Sequence, residues 1–117
     1  MKLSPSRLEP VLVPRIWGTR SLAPLFPQVI YGTEPIGEVW LTGNECRFVG
    51  GPYAGQKLGD AWEAMPEEWT GSRLRGEGPF PLLVKFIFLE DKLSVQVHPD
   101  DDYARRHESR LGGVGKT

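Results

Sequence analysis

The sequence predicts a mainly β protein of short strands, with short helices near residues 60–70 and 101–110. Three observations carry this expectation. Fourteen Gly and eleven Pro stand among 117 residues, so the chain turns too often for long helices. Residues 82–89 are dense in β-branched, aromatic and aliphatic side chains, which suit a pleated strand. From Leu93 to His98 the residues alternate apolar and polar, the period of a strand. The length allows one small domain. Hydrophobic residues at 39% and charged ones at 25% are ordinary globular usage.

Taken in order, residues 1–28 are rich in Pro and read as an extended arm, with Leu8, Val11, Val13 and Ile16 as apolar anchors. Residues 36–49 read as two short strands, Gly37 to Thr42 and Cys46 to Val49. A turn at Gly43-Asn44 joins them into an expected hairpin. Gly50-Gly51-Pro52 ends that run. Over 58–70 the period changes: Leu58, Ala61, Trp62, Met65 and Trp69 recur at helical spacing. Asp60 reads as the N-cap, with Glu63 completing a capping box. Pro66 either interrupts this helix or opens a second one at its first position. The aromatic stripe reads as core packing, not as a ligand box.

Residues 71–80 form a Gly-rich, charged loop. Residues 82–89 and 93–98 are two expected strands. After Pro99, the aspartates Asp100, Asp101 and Asp102 suit the start of a helix over 101–110. Arg105, Arg106 and Arg110 lie towards its other end, so the macrodipole accounts for the acidic run better than a cation site does. The chain shows no internal repeat and no interdomain linker.

Fourteen basic against fifteen acidic side chains leave a net charge of −1, which offers no basic field for nucleic acid or anionic lipid. A single cysteine, Cys46, excludes an internal disulfide and fits a reducing cytoplasm. No stretch approaches the roughly 20 apolar residues of a membrane helix. No apolar region follows Lys2 and Arg7, so a secretory signal is not expected.

The chemistry concentrates near His98. On a strand, Ser94, Gln96 and His98 share one face, and Leu93, Val95 and Val97 share the other. Imidazole is a common transition-metal ligand, and an amide oxygen two residues away can point at the same ion. Spacing alone favours a hydrogen-bonded histidine without metal, and glutamine is an unusual zinc ligand. Lys85 interrupts an apolar run. It either snorkels to water or contacts a phosphate or hydroxyl. The terminal Gly115-Lys116-Thr117 imitates a phosphate-binding loop, but Arg110 stands where that loop needs glycine.

Five stretches together resemble type I mannose-6-phosphate isomerase, a zinc-dependent cupin enzyme. They are Arg15-Ile16-Trp17-Gly18, Ile36-Gly37-Glu38-Val39-Trp40, Leu83-Val84-Lys85-Phe86, the run from Leu93 to Asp100, and Gly115-Lys116-Thr117. They stand in the family's order and cover nearly the whole chain; the run ending in His98-Pro99-Asp100 is the specific one. The resemblance implies part of a cupin jelly roll. It implies interconversion of mannose 6-phosphate and fructose 6-phosphate through a cis-enediol, assisted by Zn2+. It makes Gln96 and His98 zinc ligands. It places Lys85 and Ser94 along the sugar-phosphate pocket, with Trp17 either near that pocket or a core anchor. It makes Lys116 a candidate acid–base group, and it leaves Glu38 and Trp40 structural.

In the family a glutamate ligand follows the Lys-Thr pair and a further histidine comes much later. The expectation is therefore that residues 1–117 are the N-terminal part of a catalytic domain, truncated at the C-terminus. Such a chain would bind zinc weakly and lack turnover by itself. The other readings are a non-catalytic metal- or sugar-binding cupin module and a folded remnant. Nothing in the residues sets an oligomeric state.

Overall fold

The strand Ile36–Trp40 organises the larger sheet, because its first four residues are buried. The computed structural model describes residues 5–27, 32–65, 67–72 and 78–107. In chain order these form β1 (Leu8–Glu9), β2 (Val11–Thr19), β3 (Ile36–Trp40), β4 (Arg47–Phe48), α1 (Leu58–Trp62), α2 (Glu67–Thr70), β5 (Lys85–Ile87) and α3 (Asp101–His107). A three-stranded antiparallel sheet runs β2-β3-β5, and β1 pairs with β4 in a second, two-stranded one. The mainly β class with two helical regions is therefore as expected.

The N-terminal arm is more ordered than its prolines suggest: β2 is a nine-residue strand. Pro14 has no N–H to give a ladder. It is tolerated because β2 is an edge strand and the register shifts between Val13 and Pro14. Leu12, Val39 and Phe86 stand opposite one another across the three strands. Leu22, Ile36 and Val39 form a buried core, packed by Leu12, Phe26, Leu41 and Phe88. Phe26 meets Phe86 and Phe88 edge-on, with ring centroids 6.0 and 6.2 Å apart, an arrangement aromatic quadrupoles favour.

The expected hairpin between 37–42 and 46–49 does not form. β3 pairs with β2 and β5, while β4 pairs with β1. The backbone beyond Trp40 is committed elsewhere: the N–H groups of Leu41 and Thr42 both donate to the Val84 carbonyl, at 2.8 and 3.3 Å. The Thr42 hydroxyl adds bonds to Leu82 O and from Val84 N. With those groups used, residues 46–49 have nothing to pair with on that strand.

The helical segment is split, with α2 starting at Glu67 directly after Pro66, which itself lies outside the described residues. The N-cap is Lys57, without a side-chain cap, and Asp60 sits in the first turn. The expected Asp60–Glu63 capping box is thus corrected. The reason is that the first donors of α1 already have partners: Leu58 N bonds Cys46 O at 2.7 Å and Gly59 N bonds Asn44 O at 3.0 Å. The apolar stripe is core, as expected. Leu58, Ala61 and Met65 are buried with Phe48, and Trp62 and Trp69 pack against them.

Two strands are shorter than their composition suggests. β5 covers three residues instead of 82–89, and 93–98 has no strand assignment. Val95 and Val97 are 100% and 91% exposed. Alternation tells which side chains share a face, but a strand also needs a neighbour for its ladder, and among the described residues none runs beside 93–98. In α3 the expectation holds over the described part. Asp100 Oδ1 accepts from Tyr103 N at 2.8 Å, Asp101 and Asp102 occupy the first turn, and Arg105, Arg106 and His107 the last. Arg110 lies outside the described residues.

Candidate functional site

On the face of the sheet opposite Val39, register places Val13, Glu38 and Ile87 in one row and Val11, Trp40 and Lys85 in the next. Glu38 is buried, with 7% of its surface exposed. A buried carboxylate is costly without partners, and Glu38 has three. Lys85 Nζ lies 2.9 Å from its Oε1, reached diagonally from β5. The Trp40 indole N–H donates to its Oε2 at 2.8 Å. Arg15, from β2 on the other side, places a guanidinium nitrogen 3.5 Å from the same oxygen. The middle strand thus holds one anion between cations from both neighbours. Burial pushes the Glu38 carboxyl up. The hydrogen bonds from Lys85 and Trp40 and the charges of Lys85 and Arg15 outweigh burial, so it titrates below its ordinary value of 4.5.

A lowered carboxyl pKa contributes stability above the unfolded value and loses it as pH falls through the folded value. The chain should therefore lose melting temperature on acidification from pH 4.5 downward, and Glu38→Gln should lose less over that range. Thermal melts of both chains between pH 7 and pH 3 check this. A gap between them that does not narrow below pH 4.5 would contradict it.

Trp17 is half-buried on β2. Its ring lies against Gly37, where a Cβ would come 2.8 Å from the ring and 2.5 Å from Arg15 Cβ. Gly37 is thus the seat on which Arg15 and Trp17 cross the sheet. Beside Trp40 opens a cavity of about 340 Å³, bordered also by Asn44, Glu45, Phe80 and Leu83. That volume falls in the range of small-molecule sites.

Ser94, Gln96 and His98 are exposed on the irregular segment after β5. Gln96 Nε2 donates to Ser94 Oγ at 2.8 Å, so these two side chains lie on one side of the chain. The bond uses the amide nitrogen and not the oxygen that a metal would take. Among the described residues no group of three or more His, Cys, Asp or Glu side chains could hold a metal ion. The donor chemistry of Gln96 and His98 fits two places of a zinc shell, whereas zinc sites use three or four protein ligands. Lys116 lies outside the described residues.

From the sequence alone, Lys85 stands between water and a ligand and Glu38 is structural. The structure makes them partners, 47 residues apart. The one available signal was the period-2 pair Glu38 and Trp40, which marks a polar face on an otherwise apolar strand.

These elements have counterparts in known proteins. The family model of the phosphomannose isomerase type I catalytic domain matches residues 6–110, and the chain belongs to that enzyme family. The "Probable mannose-6-phosphate isomerase GmuF" of Bacillus subtilis is 39% identical over 117 residues, covering 97% of this chain and 35% of that protein. The mannose-6-phosphate isomerase of Streptococcus mutans is 35% identical over 112 residues, covering 92% of this chain and 34% of the relative. The crystal structure of the mannose 6-phosphate isomerase from Bacillus subtilis superposes with a TM-score of 0.79 at 35% identity, over 97% of this chain and 35% of that one. The chain thus spans about a third of the length of the relatives it matches. The fold class expected, a mainly β part of a cupin jelly roll, agrees with this likeness.

Proposed function

We propose that this chain is the N-terminal part of a mannose-6-phosphate isomerase, which interconverts mannose 6-phosphate and fructose 6-phosphate. The observation that supports this most is the family match through residues 6–110. The reaction takes a proton from C2 of the aldose and returns one to C1, while a hydroxyl proton passes from O2 to O1; the intermediate is a cis-enediol. A positioned base is needed to carry the carbon-bound proton, and Lys116 is our candidate.

Lys85 is the proposed phosphate contact, with Ser94 and Trp17 as further substrate-binding residues. Lys85 keeps two donors after bonding Glu38. Arg15 and Lys85 against Glu38 leave this face one positive charge, which favours a dianionic phosphate. Gln96 and His98 would hold zinc together with donors from outside the described residues. When bound, zinc would supply Lewis-acid stabilisation of charge developing on the sugar oxygens. Cys46 is buried and free, in keeping with a reducing compartment, and we assign the protein to the cytoplasm.

Calorimetric titration with mannose 6-phosphate and with mannose tests the reading. A charge-assisted hydrogen bond is worth enough for the phosphorylated sugar to bind about tenfold more tightly or better. In Lys85→Met that preference should fall by about the same factor. Equal binding of both sugars, or binding of neither, would refute the assignment.

A further inference from the structure

We infer that Glu38 is a positioning residue that holds the Lys85 ammonium at one place on the sheet face. The inference rests on the proposed sugar-phosphate reading for its purpose, but its geometry stands separately. Lysine carries a compact charge on a flexible four-carbon stem, so an unrestrained lysine makes a poorly directed contact. Here the stem leaves an edge strand, and the ammonium meets Glu38 Oε1 at 2.9 Å. Glu38 is itself clamped. The Trp40 indole bonds its other oxygen at 2.8 Å and Arg15 approaches that oxygen at 3.5 Å. The Glu38 side chain is 9% exposed and that of Lys85 29%. The carboxylate is thus sheltered, while the Lys85 side chain is partly exposed and its ammonium has two donors beyond the bond to Glu38.

The contrast within the chain is Lys57. It reaches Glu45 at 2.7 Å, but that carboxylate is 56% exposed. Such a surface pair does little to restrain its lysine. The difference between these two lysines is the carboxylate's surroundings and not the ion-pair distance.

Charge and position predict opposite signs for one substitution. Glu38→Gln removes a negative charge beside Lys85 and Arg15. If Glu38 merely competed with the phosphate for these cations, the variant would bind mannose 6-phosphate more tightly. If Glu38 positions Lys85, the variant binds it more weakly, by about tenfold, the size of one charge-assisted hydrogen bond. Mannose binding should stay unchanged. On a Lys85→Met background, Glu38→Gln should have no further effect, because it acts through the missing ammonium.

The test combines calorimetry on the full 117-residue chain with NMR order parameters of the lysine ammonium groups. In the wild type, Lys85 should be ordered and Lys57 mobile. In Glu38→Gln, Lys85 should become as mobile as Lys57. Tighter phosphate binding in Glu38→Gln overturns the inference, as does an equal effect with and without Lys85. Should Glu38→Gln fail to fold, Trp40→Phe removes the indole donor to Glu38 while leaving a smaller aromatic ring in its place. Lys85 should loosen in it, and unchanged Lys85 order in that variant overturns the inference. A wild-type chain without phosphate preference would sink the assignment of Lys85 as the phosphate contact alone. Lys85 order in the wild type and in these variants would then decide the positioning role.

Discussion

Gly18→Ala is expected to cost about 3 kcal/mol or more, at the upper end of what overpacking a filled interior does. A Cβ at Gly18 would stand 2.4 Å from the carbonyl carbon of Ile36, 2.5 Å from its oxygen and 2.6 Å from Gly37 N. These are backbone atoms of the central strand. They cannot rotate away as a side-chain terminus can, so β2 must lift from β3. The consequences are not confined to the contact. Trp17 and Thr19 flank Gly18, and the Thr19 hydroxyl bonds Glu90 at 2.6 Å. Arg15, three residues back, would be drawn off Glu38. A small domain has only about 5–15 kcal/mol in total, and a loss of this size lowers Tm by roughly 10–20 °C. Gly50→Ala is the control: a Cβ there meets nothing within 4 Å, so its effect should stay within about 0.5 kcal/mol. Thermal melting of the two variants decides. A Gly18→Ala chain that melts like Gly50→Ala would show that the strands are not locked at this crossing.

Features that depend on near neighbours in the chain were legible beforehand. Asp100 caps α3 and the arginines close it because cap and charge lie within a few residues of the helix. The stripe Leu58, Ala61, Met65 declares its buried face through spacing alone. Strand pairing was not legible, since nothing in residues 36–49 says that β3 takes β2 and β5 as neighbours. The Asp60 cap misled because the donors of α1 found backbone partners at Asn44 and Cys46, which are distant in sequence. The same limit hid the site's central contact. Lys85 stood out as a charge in an apolar run, but its partner was invisible until the sheet placed Glu38 diagonally across from it. Local physics thus gave the candidates, and topology gave the connections among them.

The second large effect concerns His98. Spliced onto the remaining two thirds of the Bacillus subtilis GmuF protein, of which it matches 35%, this chain should yield a protein with zinc-dependent isomerase turnover. Fructose 6-phosphate formation in a coupled assay measures it. In that chimera His98→Ala should reduce zinc affinity by at least about a hundredfold, since even outer-shell changes cost tenfold to a hundredfold. Turnover at limiting zinc should fall with it. Gln96→Ala should cost less, because an amide oxygen is the weaker donor of the two. The 117-residue chain alone should release zinc to a mild chelator, because two donors leave most of the coordination shell to water. Zinc content by elemental analysis gives a readout independent of activity. Stoichiometric zinc retained by the chain through chelation would mean that it completes a site by itself. Full zinc occupancy and turnover in the His98→Ala chimera would remove His98 from the metal site, and with it the reason to read the run from Leu93 to Asp100 as the chemical heart of the chain. If zinc is lost while mannose 6-phosphate still binds with its phosphate preference, Lys85 and His98 serve separate tasks. That is the division of labour we propose, with Lys85 held on the sheet by Glu38 and the proposed zinc ligands Gln96 and His98 on the segment that leaves it.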